Sequence, residues 1–175
     1  MPLDLYLFNL LHALAGRWWL LDWLFIFLAQ YSAYIFIGGL IIIFFRIKKT
    51  KERFYFFPLI LLSAILSRGI ITEFFRFAYP RERPFEALAS PPLLSPETSG
   101  SFPSGHAALF FALAFAVFFF DRELNIGSKS GKWFFWIAGV MGAGRVIAGV
   151  HWPLDILGGA IAGFLSVVVI KKLLP

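Results

Sequence analysis

Residues 23–45 read WLFIFLAQYSAYIFIGGLIIIFF, without one charged side chain. As an α-helix this run would extend about 34 Å, enough to cross a roughly 30 Å hydrocarbon core with some tilt. Phe54–Phe77 gives a second run of about 36 Å, and Gly105–Phe120, Trp133–Val150 and Pro153–Ile170 give about 24–27 Å each, sufficient if their ends reach the interface. Leu3–Ala15 would cover only about 20 Å, so it is expected to lie in the interface or dip partway into the bilayer. No cation precedes it and no small-residue cleavage site follows, so it does not resemble a signal peptide. The 175 residues are 59% hydrophobic and only 15% charged, with mean hydropathy +0.79. One soluble core of this length could not bury that much apolar surface. The expected fold is all-α: a membrane-embedded helical bundle with five spans plus a short N-terminal helix, as a single domain over residues 1–175.

Placement of the charges refines this picture. The net charge is +6, but the cations punctuate apolar runs instead of forming a solvated basic face, so nucleic acid is not an expected partner. Arg46–Arg53, Asp121–Lys132 and Lys171–Lys172 together hold ten of the sixteen Lys and Arg residues. All three fall on one side of a five-span bundle. That side is expected to be cytoplasmic, placing the protein in the inner (cytoplasmic) membrane as a multi-pass protein. The opposite side carries Arg76, Arg81, Arg83 and Arg145, which the topology rule does not call for. The chain has no Cys and three His. Disulfides, thiolate nucleophiles and Cys-based metal sites are thereby excluded, and neither a metal nor a cofactor is expected.

Polar residues cluster at three places on the outer side. Ser104, in Pro103-Ser104-Gly105-His106, suits the N-cap of the helix that follows, and Gly105 permits close approach to the backbone. The positive end of that helix favours an anion, and His106 beside it can exchange a proton near neutral pH. An ordinary capped helix start would use the same residues. In Arg145-x5-His151-x3-Asp155, Pro153 fits a first helical turn, and Asp155 lies within reach of one imidazole nitrogen of His151. A carboxylate there would fix the tautomer and leave the other nitrogen as nucleophile or base. Arg145, near the end of its helix, needs a partner or a wet cavity.

The first cluster adds Arg76 and Arg83, whose forks suit phosphate oxygens, although Arg76 also fits a snorkelling interface residue. Arg68, Thr72 and Arg76 recur at the spacing of one helical face. For Arg68 a structural pair inside the bundle, with Asp22 or Glu73, is the favoured expectation. Ala78–Pro103, the longest polar stretch, exceeds the usual loop length in a compact bundle, which favours a functional role. Three Arg, a helix N-terminus, two His and one Asp on one membrane face suit a phosphoryl group.

With these motifs in order, the chain resembles the type 2 phosphatidic acid phosphatase (PAP2) family, whose pattern is K-x6-RP, PSGH and SR-x5-H-x3-D. The matching residues are Arg76-x6-Arg83-Pro84, Pro103-Ser104-Gly105-His106 and Gly144-Arg145-x5-His151-x3-Asp155. The resemblance implies a six-helix bundle and metal-independent catalysis. It assigns His151 as a nucleophile forming a phosphohistidine, Asp155 as its orienting partner and His106 as general acid. Arg76, Arg83, Arg145, Ser104 and the Gly105 backbone would hold phosphate. Arg76 stands where the family has Lys, and Gly144 where it has Ser.

A site at the outer interface walled by Phe-rich helices favours a lipid phosphate or diphosphate. The N-terminal segment and Arg83-Pro84-Phe85 resemble bacterial undecaprenyl-diphosphate phosphatases of the family. A lipid A 1-phosphatase or a phosphatidylglycerophosphate phosphatase would carry the same motifs. A lipid or anion transporter is the alternative of a different class; it would bring internal repeats and broken helices, which the sequence does not display.

Overall fold

A computed structural model describes residues 2–123 and 130–174. Six long helices and one single-turn helix account for the regular structure, and there is no strand among the described residues. They are α1 (Pro2–His12), α2 (Trp19–Arg46), α3 (Thr50–Ala78), the single turn α4 (Pro84–Ala87), α5 (Gly105–Glu123), α6 (Ser130–Ile147) and α7 (Pro153–Leu173). The all-α, six-helix expectation is met. Residues 124–129, inside the basic Asp121–Lys132 connection, lie outside the described residues.

α2, α3, α5 and α7 are long and apolar enough to cross a membrane. α6, 18 residues long, is less apolar, yet it connects the far end of α5 to the start of α7 and so must run the length of the bundle. Large apolar side chains point outward from the spans, among them Phe77 at 89% and Phe54 at 77% exposure, as lipid-facing residues would. The connections alternate between two ends. Arg46, Lys48, Lys49 and the C-terminal Lys171 and Lys172 gather at one of them, and residues 79–104 and 148–152 at the other.

α5 is the central helix. Its alanines 107, 108, 112, 114 and 116 are wholly buried, and around them pack Phe36 and Phe134 from α2 and α6, Leu59 from α3 and Val167 from α7. α7 reaches α5 through glycines. An ideal Cβ on Gly159 would lie 2.6 Å from the Ser104 carbonyl, and one on Gly163 would lie 2.6 Å from the Ala112 nitrogen. Small residues four apart thus let the two backbones touch. Gly158 faces elsewhere, against the Phe102 ring.

Two of the runs end earlier than expected, while the other helices extend a few residues beyond theirs. The fifth apolar run, Trp133–Val150, ends its helix at Ile147 because Gly149 turns into the left-handed region at φ +80°. The N-terminal helix stops at His12 instead of Ala15. At 11 residues it spans about 16 Å and cannot cross. It sits at the end opposite the basic cluster, with Phe8 against Val146 and Trp152 and His12 Nδ1 donating to the Ile147 carbonyl at 2.8 Å. That bond satisfies one of the free carbonyls at the α6 C-terminus.

Helices α2 and α3 each contain a wider π-helical turn, Phe27–Tyr31 and Ile65–Ile71 respectively, yet both run on without a break. The turn in α3 holds Arg68, and its Thr72 amide bonds to the Ser67 carbonyl five residues back. Arg68 and Arg76 therefore do not keep the simple four-residue register that the sequence spacing suggested.

Candidate active site

The local sequence explains how the central groups are set. Pro153 begins α7, and the chain entering it brings Asp155 back under the preceding turn. Asp155 Oδ2 accepts a bond from the Trp152 amide at 2.8 Å and lies 3.4 Å from His151 Nδ1. His151 is fully buried. Its other nitrogen, Nε2, is 3.5 Å from Arg83 Nη1. Donors on one side and a carboxylate on the other favour a proton on Nδ1 and a lone pair on Nε2. Burial first, then the charges of Arg145 and Arg83, holds the His151 pKa well below the ordinary 6.5, so the resting imidazole is neutral.

Ser104 caps α5 as its position suggested: its hydroxyl accepts the Ala107 amide at 3.4 Å. Its own amide donates to the Asp155 carbonyl at 3.0 Å, tying the start of α5 to the start of α7. Gly105 and His106 follow directly, His106 partly exposed. Arg83, Arg145 and Arg76 are all buried. Arg83 donates from Nε to the Ser99 carbonyl at 2.9 Å and from Nη1 to the Val150 carbonyl at 3.0 Å. Arg76 Nη1 reaches the Ser99 hydroxyl at 3.1 Å and Glu73 at 3.5 Å. The Nε donors of Arg76 and Arg145 are buried and have no protein partner among the described residues. Unsatisfied guanidinium donors are costly unless an anion meets them. All the sequence-predicted residues thus converge at one end of the bundle.

Three charged residues that were not assigned a site role belong here as well. Glu97, from the long loop, accepts from Arg83 Nη2 at 2.8 Å and from Arg145 Nη2 at 2.5 Å. Burial opposes its ionisation, but Arg145 and then Arg83 overrule it and bring the carboxyl from 4.5 down to about 2. Arg81 donates to Asp155 Oδ1 at 2.7 Å and to Asp4 Oδ2 at 2.5 Å. Asp4 is buried and also accepts the Leu154 amide at 2.9 Å. The available signals were an acid in an otherwise apolar N-terminal helix and an arginine, at the end expected to face outward, that topology did not need.

Two expectations are sharpened. Arg68 pairs with Glu73, whereas Asp22 accepts the Gly16 amide at 2.8 Å. Gly144, standing where the family has Ser, faces α2: an ideal Cβ there would meet the Ala29 nitrogen at 3.2 Å. The missing side chain serves the α2–α6 contact.

An anion cradle of three buried arginines beside a neutral, carboxylate-backed histidine and a second histidine can bind a phosphoryl group, attack it and protonate what leaves. Comparison with known proteins shows the family. A protein named bacitracin transport permease protein BcrC, from Bacillus licheniformis, is 29% identical over 163 residues, 91% of this chain and 74% of its own. An undecaprenyl-diphosphatase from Sulfolobus acidocaldarius is 31% identical over 160 residues, 84% of this chain and 69% of its own. The crystal structure of LpxE from Aquifex aeolicus superposes with a TM-score of 0.74 at 27% identity, covering 97% of this chain and 95% of that one. Residues 57–175 match the PAP2 superfamily, a stretch that includes all three motifs, and the chain belongs to that family of phosphatases.

Proposed function

We propose that this protein hydrolyses a lipid diphosphate, undecaprenyl diphosphate, at the outer face of the inner membrane, through a phosphohistidine on His151. The observation that carries the proposal is the placement of His151, with Nδ1 toward Asp155 and Nε2 toward Arg83. The lone pair is thereby aimed where arginines would hold the phosphate. Nε2 attacks the terminal phosphorus, the bond from phosphorus to the bridging oxygen breaks, and His106 gives that oxygen its proton. Water, surrendering a proton to His106, then attacks the phosphohistidine, and inorganic phosphate leaves with His151 restored. Arg76, Arg83, Arg145, Ser104 and the Gly105 amide hold the phosphoryl oxygens, once the Glu97 carboxylate has yielded its place. No step calls for a metal ion.

The outer-face placement rests on the cations at the opposite end of the bundle. The lipid rests on the relative named undecaprenyl-diphosphatase and on apolar flanks that would receive a polyprenyl tail. The test is phosphate release by detergent-purified protein with EDTA present. The panel is undecaprenyl diphosphate, lipid A, phosphatidylglycerophosphate and phosphatidic acid. Fastest release from undecaprenyl diphosphate, abolished in a folded His151→Ala variant, is the expected result. Full activity in that variant would overturn the nucleophile, and faster release from another lipid would reassign the substrate. Loss of activity in EDTA with rescue by a divalent ion would overturn metal independence. No release from any lipid would return the chain to a transport function.

A further inference from the structure

Arg68 is a charged residue in the middle of a long apolar helix, a placement that is costly without a purpose. It lies in the π-helical turn Ile65–Ile71, a distortion that recurs at functional sites because it re-aims a side chain. Its guanidinium lies over Gly105: an ideal Cβ on that glycine would be 2.5 Å from Arg68 Nε and 2.8 Å from Cδ. His106 is the next residue. The Arg68 side chain keeps 41% exposure and its partner Glu73 50%. The pair is therefore less enclosed than the buried arginines around Glu97. Glu73 is also shared with Arg76, so one carboxylate serves two cations.

We propose that Arg68 forms a subsite for the second, leaving phosphate of a diphosphate substrate and so selects diphosphates over phosphate monoesters. This inference rests on the phosphatase assignment above. The terminal phosphate belongs with Arg83 and Arg145, near His151. The leaving oxygen belongs with His106, which is the side Arg68 occupies. When a monoester is cleaved, the group leaving from that side departs as an alcohol, protonated by His106, and carries no phosphate oxygens for Arg68 to hold. When a diphosphate is cleaved, the leaving group is a phosphate monoester. His106 protonates the bridging oxygen as its bond to the terminal phosphorus breaks, and the non-bridging oxygens of the departing phosphate keep negative charge that Arg68 can pair with, bidentate through its fork. The small Gly105 leaves room for that guanidinium beside the helix start.

The experiment compares farnesyl diphosphate and farnesyl monophosphate, which share one tail, with wild type, Arg68→Gln and Arg68→Lys. In Arg68→Gln the diphosphate kcat/KM is expected to fall about 10- to 100-fold, the loss of one charge-assisted contact. The monophosphate value should change less than about threefold, which also reports that the variant is folded. Arg68→Lys should recover part of the diphosphate rate. Inorganic pyrophosphate should inhibit the Gln variant less strongly than wild type, with inhibition by orthophosphate unchanged. Equal losses on both substrates would mean a structural role and overturn the subsite, as would an unchanged diphosphate rate. Wild-type enzyme active only on the monophosphate would overturn the subsite while leaving the phosphatase assignment standing. Wild type inactive on both would overturn the assignment, and the subsite with it.

Discussion

Arg81 meets Asp155 at 2.7 Å on Oδ1, the carboxylate oxygen opposite the one that faces His151. Asp4 grips the same guanidinium from α1, and Arg81 also stands 5.2 Å over the Trp152 ring. The oxygen left toward His151 is therefore held by a clamp that begins in the N-terminal helix. With His151 as the proposed nucleophile, this contact casts Arg81 as a positioning residue, acting on His151 through Asp155.

Replacing Arg81 by Gln would leave two buried carboxylates, Asp4 and Asp155, without their shared cation, and Asp155 free to rotate away from His151. We expect kcat to fall about 10- to 100-fold with KM little changed, because a hydrogen bond to a charged group is worth about 1.5–3 kcal/mol. Arg81→Lys should restore part of the rate, and Asp4→Asn should lower kcat in the same sense. A loss confined to KM in steady-state assays would mean that Arg81 binds substrate instead.

The pH profile should carry the signature of a neutral nucleophile. Burial and the neighbouring Arg145 and Arg83 lower the His151 pKa from 6.5. The imidazole therefore stays unprotonated, and competent to attack, below the pH at which a free histidine charges. The acid limb of kcat/KM, which reports the free enzyme, is expected below pH 6.5. A limb at or above that value would show that substrate meets a protonated His151.

Glu97 occupies the arginines that a phosphate would need. Glu97→Gln should therefore strengthen inhibition by inorganic phosphate, measured as a lower Ki. It should also lower the thermal midpoint in phosphate-free buffer, since Arg83 and Arg145 lose their counter-ion. Added phosphate should recover more of the midpoint in the variant than in wild type. The pH sign follows from the lowered pKa. The native carboxylate contributes stability that is fully present above about 4.5 and is lost as pH falls toward about 2. The variant should lack that component of acid sensitivity.

Gly159 sets the distance between α5 and α7 at the Ser104 carbonyl. Gly159→Ala would force the two helices apart beside the cap of α5. The expected cost is about 1–3 kcal/mol of stability, the usual range for overpacking, accompanied by reduced turnover. Thermal unfolding in detergent, read beside an unaltered surface control such as Phe77→Leu, measures the first part. An unchanged midpoint would show that the helix contact can relax.

The sequence alone determined the parts of this protein governed by local rules. Apolar runs of span length state how many helices can cross. The four-residue step from His151 to Asp155 across a Pro153 start brings their side chains together, because a helix turn fixes that spacing. The PSGH cap at Ser104 was legible for the same reason. What only the tertiary structure decided is which distant charges meet. Arg81 finds Asp4 at a separation of 77 residues and Asp155 at 74, and Glu97 comes out of a long loop to join Arg83 and Arg145. Hydrophobic periodicity records which face of a helix avoids water. It contains no information on which ion lies across the bundle, nor on a π turn that shifts Arg68 out of step with Arg76. Those pairings follow from how the helix ends come together, where burying a charge without its partner costs more than the local sequence can offset.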